Sequence, residues 1–361
     1  MPEQDTGRKP DIDTVRKPDI DTVRQPDIDT VRQPDEDIVR QRETDYVIGL
    51  DVGGARIKSG AVTLDGKPLQ LGTRPSGFSL APEAILRALV EEVDRISRAR
   101  ESRPRAIGLG FPGAVDPEVG SVLLPGKLRI EGFPIVPRLR EATGVPVVAD
   151  NDGRLAILAE SRYGLASDRK WAVSITLGSG VGSGVMLDGV ILRDPHLQFG
   201  TQASHIVQEA TNGRLDITRA RGTANLLCSA TTLSMMVRDG LQRGLPSVLN
   251  DAYSRDPHSI DFEAVIHAVD EGDALSRDAL ERWTTNLGWF LVSVVHMYAP
   301  EIIILGGGAA QAASRYLASV QAHVDAHIFR YPRGSSVPVV CSELGGHAGV
   351  LGAASLAWLE L

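Results

Sequence analysis

Several features that would direct the interpretation of this chain are scarce or missing. The 361-residue sequence has two cysteines, Cys228 and Cys341, which cannot build a disulfide framework and whose separation fits no zinc ribbon. A net charge of −8 leaves no basic stripe, which argues against nucleic acid as a partner. The longest apolar stretch, 289–305, contains polar residues and a proline and is too short to span a bilayer, so we expect no membrane partner. With no charged-then-apolar leader in the sequence, a reducing cytoplasm is the expected location.

Apolar residues are abundant enough for a large core, since 42% of the sequence is hydrophobic and 23% is charged. That composition is typical of a globular chain with two core-bearing lobes. The exception is 8–39, where a unit of eight residues repeats as RKPDIDTV, RKPDIDTV, RQPDIDTV and RQPDEDIV. A proline in each unit blocks a continuous helix, and each unit has too few apolar residues to offset its chain entropy. We therefore predict a disordered tail over 1–44, with a partner-binding array as the alternative.

Two stretches of the remaining chain share a pattern of strands and glycine turns. Residues 46–71 predict a strand, a glycine turn, a strand, an Asp-Gly turn and a third strand, and 171–192 repeat the first part of that order. The two hairpins end alike, as GAVTLDGK (60–67) and GVMLDGV (184–190). This similarity within the chain predicts two lobes of related architecture with a cleft between them. Helices are predicted at 82–99, 274–298 and 347–361, and strands at 106–109, 145–149 and within 301–308.

Three glycine loops follow predicted strands, namely Gly53-Gly54, GSGVGSG (178–184) and GGG (306–308). Glycine lets backbone N–H groups approach phosphate oxygens that a Cβ would keep away, so three such loops in one chain indicate a nucleotide site. Asp51 ends the strand before the first loop, where a carboxylate can hold Mg²⁺ through water beside phosphates. A turn-forming aspartate that caps local N–H groups is the alternative for this position.

Other nucleotide-binding patterns are absent or incomplete. The sequence has no Walker loop, G-x-x-x-x-G-K-[ST], and no His-Arg-Asp catalytic loop of protein kinases. GLGFPG (108–113) matches G-x-G-x-x-G after a strand. However, Pro112 and the turn-rich residues that follow do not open the helix that dinucleotide binding requires. An oxidoreductase that uses a nicotinamide cofactor is therefore kept only as an alternative.

An acidic cluster lies between a predicted strand at 145–149 and a predicted helix at 155–161. It contains Asp150, Asn151 and Asp152. One of them can serve as a helix N-cap, a role worth about 1 kcal/mol, but that role explains a single residue. In the functional interpretation, the amide and a carboxylate bind a polyol and the carboxylate takes a hydroxyl proton. An aspartate with an ordinary pKa of about 3.9 is ionised at neutral pH and can act as such a base.

Six segments of the chain form one ordered pattern. They are LDVGGARIKSG (50–60), GLGFPGAVD (108–116), ADNDGRLAILAE (149–160), TLGSGVGSGVMLDG (176–189), PEIIILGGG (300–308) and HAGVLGAASLA (347–357). In this order and spacing they resemble the ROK family of repressors, open reading frames and kinases, within the actin-like ATPase superfamily. The resemblance covers nearly all of 46–361. It implies an α/β fold of two RNase H-like lobes with an interlobe cleft, at 45–165 and 166–346, with the helix 347–361 packed back on the first lobe.

The resemblance also implies roles for individual residues. It implies Asp152 as the base that activates a sugar hydroxyl, Asn151 as a ligand of sugar hydroxyls, and Asp51 as the residue that organises Mg²⁺. The residues that would hold ATP are Gly53, Gly54, Gly178, Ser179 and Gly180 for the phosphates, and Gly307 and Gly308 for the adenosine. Phosphoryl transfer requires mainly alignment and charge stabilisation, which this set can supply.

The sequence departs from the family pattern near the expected sugar site. Ala55 replaces the threonine of the family's first glycine loop. The family's Gly-Glu-x-Gly-His segment aligns with 201–205, so Gln202 replaces a sugar-binding glutamate while His205 is retained. A second glutamate of the family aligns with Asn225. Losing two hydrogen bonds to charged groups costs about 3–6 kcal/mol, or roughly 10²–10⁴ in affinity for a hexose, unless neutral bonds compensate.

The family's zinc loop is also missing its ligands. That loop has three cysteines, whereas this chain has no cysteine between 178 and 227, so we expect no zinc. Without zinc, His205 either binds a sugar hydroxyl directly or is a structural histidine in a network at a helix start. Both interpretations stay open.

These observations predict an ATP-dependent kinase that phosphorylates a sugar hydroxyl, glucokinase-like or related to hexose and amino-sugar kinases, with ATP and Mg²⁺ as cofactors. The alternative is a catalytically degenerate protein that binds a sugar or a nucleotide, as Ala55, Gln202 and Asn225 suggest. The family's repressors carry a helix-turn-helix that the proline-punctuated tail cannot form, so DNA binding is not predicted. The sugar, its reacting hydroxyl and the choice between ATP and polyphosphate remain open, and a homodimer is compatible with the family.

Overall fold

The structure, a computed structural model, describes residues 45–54, 56–76, 81–116, 119–123, 128–194, 196–211 and 214–361. The predicted tail at 1–44 and the departure at Ala55 lie outside the described residues. The described part of the chain is mixed α/β, with two five-stranded sheets and a separate two-stranded ladder. The predicted α/β fold class is confirmed.

The first sheet carries the acidic residues of interest at the ends of its parallel strands. Its strands are β1 (Val47–Val52), β2 (Arg56–Val62), β3 (Pro68–Pro75), β4 (Ile107–Phe111) and β7 (Val147–Asn151), while β5 (Val115–Asp116) and β6 (Ser121–Val122) form the ladder. The order is β3-β2-β1-β4-β7, with β1, β4 and β7 parallel and β2 antiparallel to both neighbours. The register places Asp51 beside Gly110, and Gly110 beside Asp150.

The second sheet repeats this arrangement. Its strands are β8 (Ala172–Leu177), β9 (Val181–Leu187), β10 (Val190–Ile191), β11 (Ile302–Gly306) and β12 (Val339–Cys341), in the order β10-β9-β8-β11-β12. Here β8, β11 and β12 are parallel, and β9 is antiparallel to β8 and β10. In each sheet, the strand that comes first in the chain, β1 or β8, therefore lies in the centre. The strands of its hairpin lie on one side of it and the parallel strands lie on the other. The similarity between the two hairpin sequences thus corresponds to a similar strand order in the two sheets.

Helices connect the strands and cover the sheets. They are α1 (Pro82–Arg100), α2 (Ile135–Thr143), α3 (Asp152–Tyr163), α4 (Ala224–Cys228), α5 (Ala230–Gln242), α6 (Asn250–Arg255), α7 (Phe262–Asp270), α8 (Ala274–Tyr298), α9 (Leu317–His327) and α10 (Ala348–Leu359). Short 3₁₀ turns occupy Ala203–His205, Pro257–Ser259, Gly308–Arg315 and Gly345–His347. In α1, buried Ile85, Leu89, Val93 and Ile96 recur at helical spacing, and Glu101 ends the helix with a left-handed φ of 52°. The amphipathic pattern thus places one face of α1 in the core.

The apolar core is divided between the two sheets. On the second sheet, α8 contributes Trp283, Leu287 and Phe290, which are fully buried. The helix begins where the Asp273 side chain accepts a hydrogen bond from the Ser276 N–H group. Across the described ranges, no helix combines the length and the apolarity needed to cross a bilayer.

The helix α10 lies directly on the backbone of the first sheet, against β1 and β4, and also contacts α3. A Cβ on Gly49 would overlap the carbonyl oxygen of Val350, and a Cβ on Gly108 would overlap that of Ala353. Only glycine permits this close approach of helix and strand at the two positions. All described residues belong to one compact unit, and the lobe boundaries at 45–165 and 166–346 stay predictions.

The strand and the helix around the acidic cluster begin at other residues than predicted. The strand β7 starts at Val147 rather than at residue 145, after Pro146, which has no N–H group to donate. The helix α3 starts at Asp152 rather than at Leu155. Because Asn151 ends the strand and also caps the helix, no loop separates the two elements.

Candidate active site

Asp150 lies at the junction of β7 and α3, and two arginines neutralise its charge. Its Oδ1 accepts a hydrogen bond from Arg154 Nη1 at 2.9 Å, and its Oδ2 accepts one from Arg193 Nη2 at 2.6 Å. Asp150 and Arg154 are only 5% and 2% exposed. A buried charge without a counter-charge is strongly unfavourable, so removing either partner alone would destabilise the fold. Asp150 therefore ties β7 to α3 and to the residues after β10, and is not free to act as a base.

Asn151 caps α3. Its Oδ1 accepts hydrogen bonds from the N–H groups of Gly153 at 2.9 Å and Arg154 at 3.2 Å. Its Nδ2 donates to the Gly113 carbonyl at 2.8 Å and to Asp152 Oδ1 at 3.2 Å. Asn151 is thus the N-cap that the sequence predicts among three candidates. Its role as a sugar ligand stays a prediction, and a sugar hydroxyl would have to share an amide that the protein already engages.

Asp152 is the carboxylate of the junction that lacks a cationic partner within the described ranges. Its Oδ1 accepts hydrogen bonds from the Gly153 N–H group at 2.8 Å and from Asn151 Nδ2. Its Oδ2 has no partner among the described residues. Burial raises the pKa of Asp152 to about 7, and the negative charge of Asp51 contributes to the rise, while the hydrogen bonds oppose it. The expectation of an ordinary pKa is therefore wrong, because the sequence does not reveal burial beside a second carboxylate.

Asp51 is the source of that second charge. Burial raises the pKa of Asp51, and the positive charge of Lys58, which lies opposite it in the β1–β2 register, partly offsets the rise. Lys58 Nζ also donates to the Gly346 carbonyl at 3.0 Å. A Cβ on Gly349 would overlap the Asp51 carboxylate, so α10 begins directly beside it. The positive end of the helix dipole at this point favours a negative charge.

The pair Asp51 and Asp152 fits the magnesium that the resemblance implies. Mg²⁺ keeps several waters and binds through one or two carboxylates together with substrate phosphates. Asp51 and Asp152 interact electrostatically, and a cation would reduce the repulsion between their charges. The described ranges contain no cluster of three or more His, Cys, Asp or Glu that would hold a metal by protein ligands alone. A magnesium ion that keeps most of its water ligands and would be held by Asp51 is compatible with both facts.

The first glycine loop connects β1 to β2. The Gly53 N–H group donates to the Arg56 carbonyl at 2.9 Å, and Ser76 Oγ donates to the Gly54 carbonyl at 3.1 Å. A Cβ on Gly54 would meet nothing within 4 Å. The backbone of the loop is therefore fixed on one side and open on the other, as a phosphate-binding turn requires.

The second glycine loop connects β8 to β9 and is fixed by the start of α5. The Gly178 N–H group donates to the Gly180 carbonyl at 2.9 Å. The carbonyl of Gly178 accepts from the Ala230 N–H group, and that of Ser179 from Thr231 Oγ1, both at 2.9 Å. In the described part of the chain, the N–H groups of Ser179 and Gly180 have no partner. These are the donors that an anion can use.

The third glycine loop lies against the second. Gly307 has a left-handed φ of 83°, and a Cβ there would lie within 2.8 Å of three backbone atoms of Leu177. Leu177 directly precedes Gly178, so the predicted phosphate and adenosine segments are adjacent. Gly308 opens the following 3₁₀ turn with nothing within 4 Å of its Cβ position.

Gln202 and His205 lie on a segment that Ser183 connects to the start of α3. The tip of α3 packs on β9, where a Cβ on Gly153 would overlap the Ser183 carbonyl. Ser183 Oγ in turn donates to the Gly200 carbonyl at 2.8 Å and accepts from the Ala203 N–H group at 3.3 Å. The segment that carries both predicted sugar ligands is therefore anchored beside the helix start that carries the base.

His205 and Asn225 make contacts that the sequence does not predict. His205 Nδ1 lies 2.9 Å from Asp216 Oδ2. Asn225 Oδ1 accepts a hydrogen bond from the Val181 N–H group at 3.0 Å, at the end of the second glycine loop. The oxygen of Asn225 thus supports the predicted phosphate loop, and its role in sugar binding stays a prediction.

Three residues that interact with candidate site residues are not identified by the sequence motifs. Lys58 faces Asp51 across the hairpin, a relation that counting along the two strands could have found. Arg193 and Asp216 bond to partners that are distant in the chain, and no local periodicity marks them. GLGFPG lies in β4 and the bend after it, and the described residues that follow form the two short strands β5 and β6 before α2. The motif therefore lacks the helix that dinucleotide binding requires.

The chain is similar to known proteins over most of its length. The model of the ROK family matches residues 47–359. The chain is 30% identical to the glucokinase of Thermotoga maritima over 313 residues, or 86% of this chain and 96% of that protein. It is 28% identical to the glucokinase of Halalkalibacterium halodurans over 312 residues, or 85% and 93% of the two chains.

A solved structure shows the same fold. The crystal structure of a ROK family glucokinase from Streptomyces griseus in complex with glucose and AMPPNP has a TM-score of 0.78 at 23% identity. The likeness covers 87% of this chain and 99% of that one. Because the family model matches most of the sequence and the fold agrees, the chain belongs to the ROK family.

Proposed function

We propose that this carbohydrate kinase transfers the terminal phosphoryl group of ATP to a hydroxyl of a hexose or an amino sugar, with Asp152 as the general base. The observation that carries the proposal is the contrast between neighbouring carboxylates. Asp150 is bonded to two arginines, whereas Asp152 has no cationic partner among the described residues and keeps Oδ2 free. A carboxylate with a free oxygen beside the ends of the parallel strands supports a role for Asp152 as proton acceptor.

The surroundings of Asp152 suit this role. The Gly153 N–H group and the Asn151 amide fix Oδ1, so the direction of Oδ2 is set before a substrate binds. A base works best when its pKa lies near the operating pH, and burial raises the pKa of Asp152 to about 7. At pH 7 about half of the Asp152 carboxyl groups are ionised, and at mildly basic pH most of them are, while the group still binds a hydroxyl proton well.

The nucleotide would lie along the three glycine loops. The N–H groups of Ser179 and Gly180 would bind phosphate oxygens, and Gly307 and Gly308 would face the adenosine. Asp51 would hold water ligands of Mg²⁺, which when bound supplies the positive charge that phosphoryl transfer needs. The relatives named as glucokinases and the neighbour that contains AMPPNP support a sugar acceptor and ATP as the donor.

The choice of sugar depends on Gln202 and His205. Gln202 donates to Thr201 Oγ1 at 3.3 Å and offers a neutral amide in place of a carboxylate. We therefore expect a glucokinase-like activity with weaker hexose binding than a glutamate at position 202 would give. The second candidate is a degenerate sugar- or nucleotide-binding protein, and the engagement of Asn225 by the glycine loop favours it.

A sugar-panel assay separates the two candidates. Coupled ADP release is measured with glucose, mannose and their N-acetylated amino sugars, each with Mg-ATP, and calorimetry measures binding of the same sugars. Turnover with at least one sugar supports the kinase. Binding without ADP release for every sugar would refute it in favour of the binding protein. The Asp152→Asn protein, purified in parallel, controls for contaminating kinases.

A further inference from the structure

One oxygen of Asp216 joins two side chains near the expected sugar site. Asp216 Oδ2 lies 2.9 Å from His205 Nδ1 and accepts a hydrogen bond from Thr223 Oγ1 at 2.9 Å. Its Oδ1 accepts from the Ile217 N–H group at 2.6 Å. The Asp216 side chain is 4% exposed and that of His205 is 33% exposed. We call these contacts the Asp216 network.

The backbone holds Asp216 in place independently of its side chain. The Asp216 N–H group donates to the Ala220 carbonyl, and the Arg219 N–H group donates to the Asp216 carbonyl, both at 2.8 Å. Thr223, at the other end of this turn, forms a bridge with Val207, two residues beyond His205. The histidine and the carboxylate are thus fixed on paired segments.

The charge of Asp216 determines which tautomer the neutral ring of His205 adopts. Burial disfavours ionisation of Asp216, but the hydrogen bonds from Ile217, Thr223 and His205 prevail and hold its pKa below the ordinary value. An ionised carboxylate only accepts hydrogen bonds, so the proton between the two side chains belongs to Nδ1 of His205. In the neutral ring Nε2 is then an acceptor, and it has no partner within the described ranges.

The same residues do not fit the zinc that the family resemblance implies. His205 Nδ1 already contacts Asp216, and the other side chain of the network is the hydroxyl of Thr223 rather than a thiol. No cysteine lies between 178 and 227. Cys228 is buried and contacts the Gln208 side chain instead. Among the described residues, no third His, Cys, Asp or Glu joins His205 and Asp216 to complete a set of zinc ligands.

We propose that Asp216 is a positioning residue of the sugar site, which orients His205 through Nδ1 so that Nε2 accepts a hydrogen bond from a sugar hydroxyl, without a metal. This inference rests on the proposed kinase function and deepens it. Its basis is the contact between Asp216 and His205, together with the Ser183 contacts that anchor the His205 segment beside α3. Orienting partners of this kind are typically worth roughly 10- to 100-fold in function.

The tautomer of His205 can be measured directly. Nitrogen NMR on the full chain with labelled histidine gives eight pairs of ring nitrogen signals, and a His205→Gln variant assigns the relevant pair. We expect the Nδ1–H tautomer in the wild type at pH 8 and a change to Nε2–H in Asp216→Asn, whose amide donates to Nδ1. An Nε2–H tautomer in the wild type would overturn the proposal, and this readout does not depend on the variant folding.

Kinetics test whether Asp216 acts through His205. We expect Asp216→Asn to raise the sugar KM by roughly 10- to 100-fold, with a smaller change in kcat and an unchanged KM for ATP. In the His205→Gln background the same substitution should have no further effect, whereas additive effects would indicate a merely structural role. Asp239→Asn is the matched control, since Asp239 pairs with Arg214 at 2.8 Å and does not belong to the network.

Metal analysis completes the test. The purified wild type should contain far less than one zinc per chain. Treatment with a chelator that is removed before Mg-ATP is added should change neither the His205 signal nor the sugar KM. A stoichiometric zinc that shifts the His205 signal would overturn the metal-free arrangement. The failures are distinguishable, because a wild type that phosphorylates no sugar refutes the kinase function, whereas the wrong tautomer in an active enzyme refutes the role of Asp216.

Discussion

The Asp152→Asn substitution should lower turnover and, at basic pH, stabilise the fold. The loss of turnover follows from removal of the base, which typically contributes roughly 10²–10⁴ in rate. Sugar binding should stay nearly unchanged, because the amide can still accept the hydrogen bond from the Gly153 N–H group. The gain in stability follows from removing a carboxylate that is buried beside Asp51.

The size and the sign of the gain follow from the pKa. Burial raises the pKa of Asp152 from 3.8 to about 7, and a difference of about three units corresponds to about 4 kcal/mol. Because the folded pKa lies above the unfolded one, the folded state binds the proton more tightly. Below about pH 4 both states are protonated and the group costs nothing. Between about pH 4 and pH 7 the unfolded state ionises first and stability falls, and above pH 7 the loss is complete.

Urea unfolding at several pH values measures this difference. Since asparagine does not ionise, the variant should be more stable than the wild type by about 4 kcal/mol at pH 8 and by about 1–2 kcal/mol at pH 5. Asp168→Asn is the control for the loss of one negative charge, because the Asp168 side chain is 73% exposed. In the wild type, kcat/KM should fall about tenfold per pH unit below pH 7.

Two results would refute this reasoning. Wild-type turnover in Asp152→Asn would remove Asp152 as the base. A stability gain of equal size at pH 5 and pH 8 would show that the carboxylate does not titrate near neutrality. In that case burial and the charge of Asp51 would not explain how Asp152 acts as a base at neutral pH.

Three further substitutions test contacts around the site. Gln202→Glu places a charged acceptor at the expected sugar site, and the glucose Kd measured by calorimetry should fall by roughly 10- to 100-fold. Gly153→Ala puts a Cβ against the Ser183 carbonyl, and the free energy of unfolding in urea should fall by about 1–3 kcal/mol. Asp150→Asn leaves the buried Arg154 guanidinium without its negative partner, and the same measurement should show a loss of about 3–5 kcal/mol.

Each of these changes has a control in the chain. Gln202→Ala adds no charge and should not improve glucose binding. Gly346→Ala adds a Cβ that meets nothing within 4 Å, so stability should stay near that of the wild type. An Asp150→Asn protein as stable as Asp168→Asn would contradict the importance of the buried ion pair. A Gly153→Ala protein with unchanged stability would contradict the close packing of α3 on β9.

Elements with strong local signals could be predicted closely from the sequence. The apolar pattern predicts a helix at 274–298, and the structure has Ala274–Tyr298, because Asp273 caps it and Ala299 ends it with a left-handed φ of 44°. The junction at the acidic cluster is displaced by two or three residues. There Asn151 ends a strand and caps a helix at once, and periodicity cannot locate a boundary that has no loop.

The different roles of the residues in the acidic cluster could not be predicted from the sequence. Asp150 is neutralised by Arg193, which is distant in the chain, and Asp152 acquires its raised pKa from burial and from Asp51 on another strand. The Asp216 network likewise depends on the pairing of two segments rather than on spacing. Composition and motif order indicate where a site lies, whereas tertiary contacts decide which of three adjacent polar residues is free to react.

The position of α10 has a consequence for the nascent chain. The strands β1 and β4 leave the ribosome early, but the helix that covers Gly49 and Gly108 is synthesised only after every strand of the second sheet. The glycine-lined face of the first sheet therefore stays uncovered during most of translation. Protein segments made first usually fold first, yet here the early half becomes complete only after the late half has emerged.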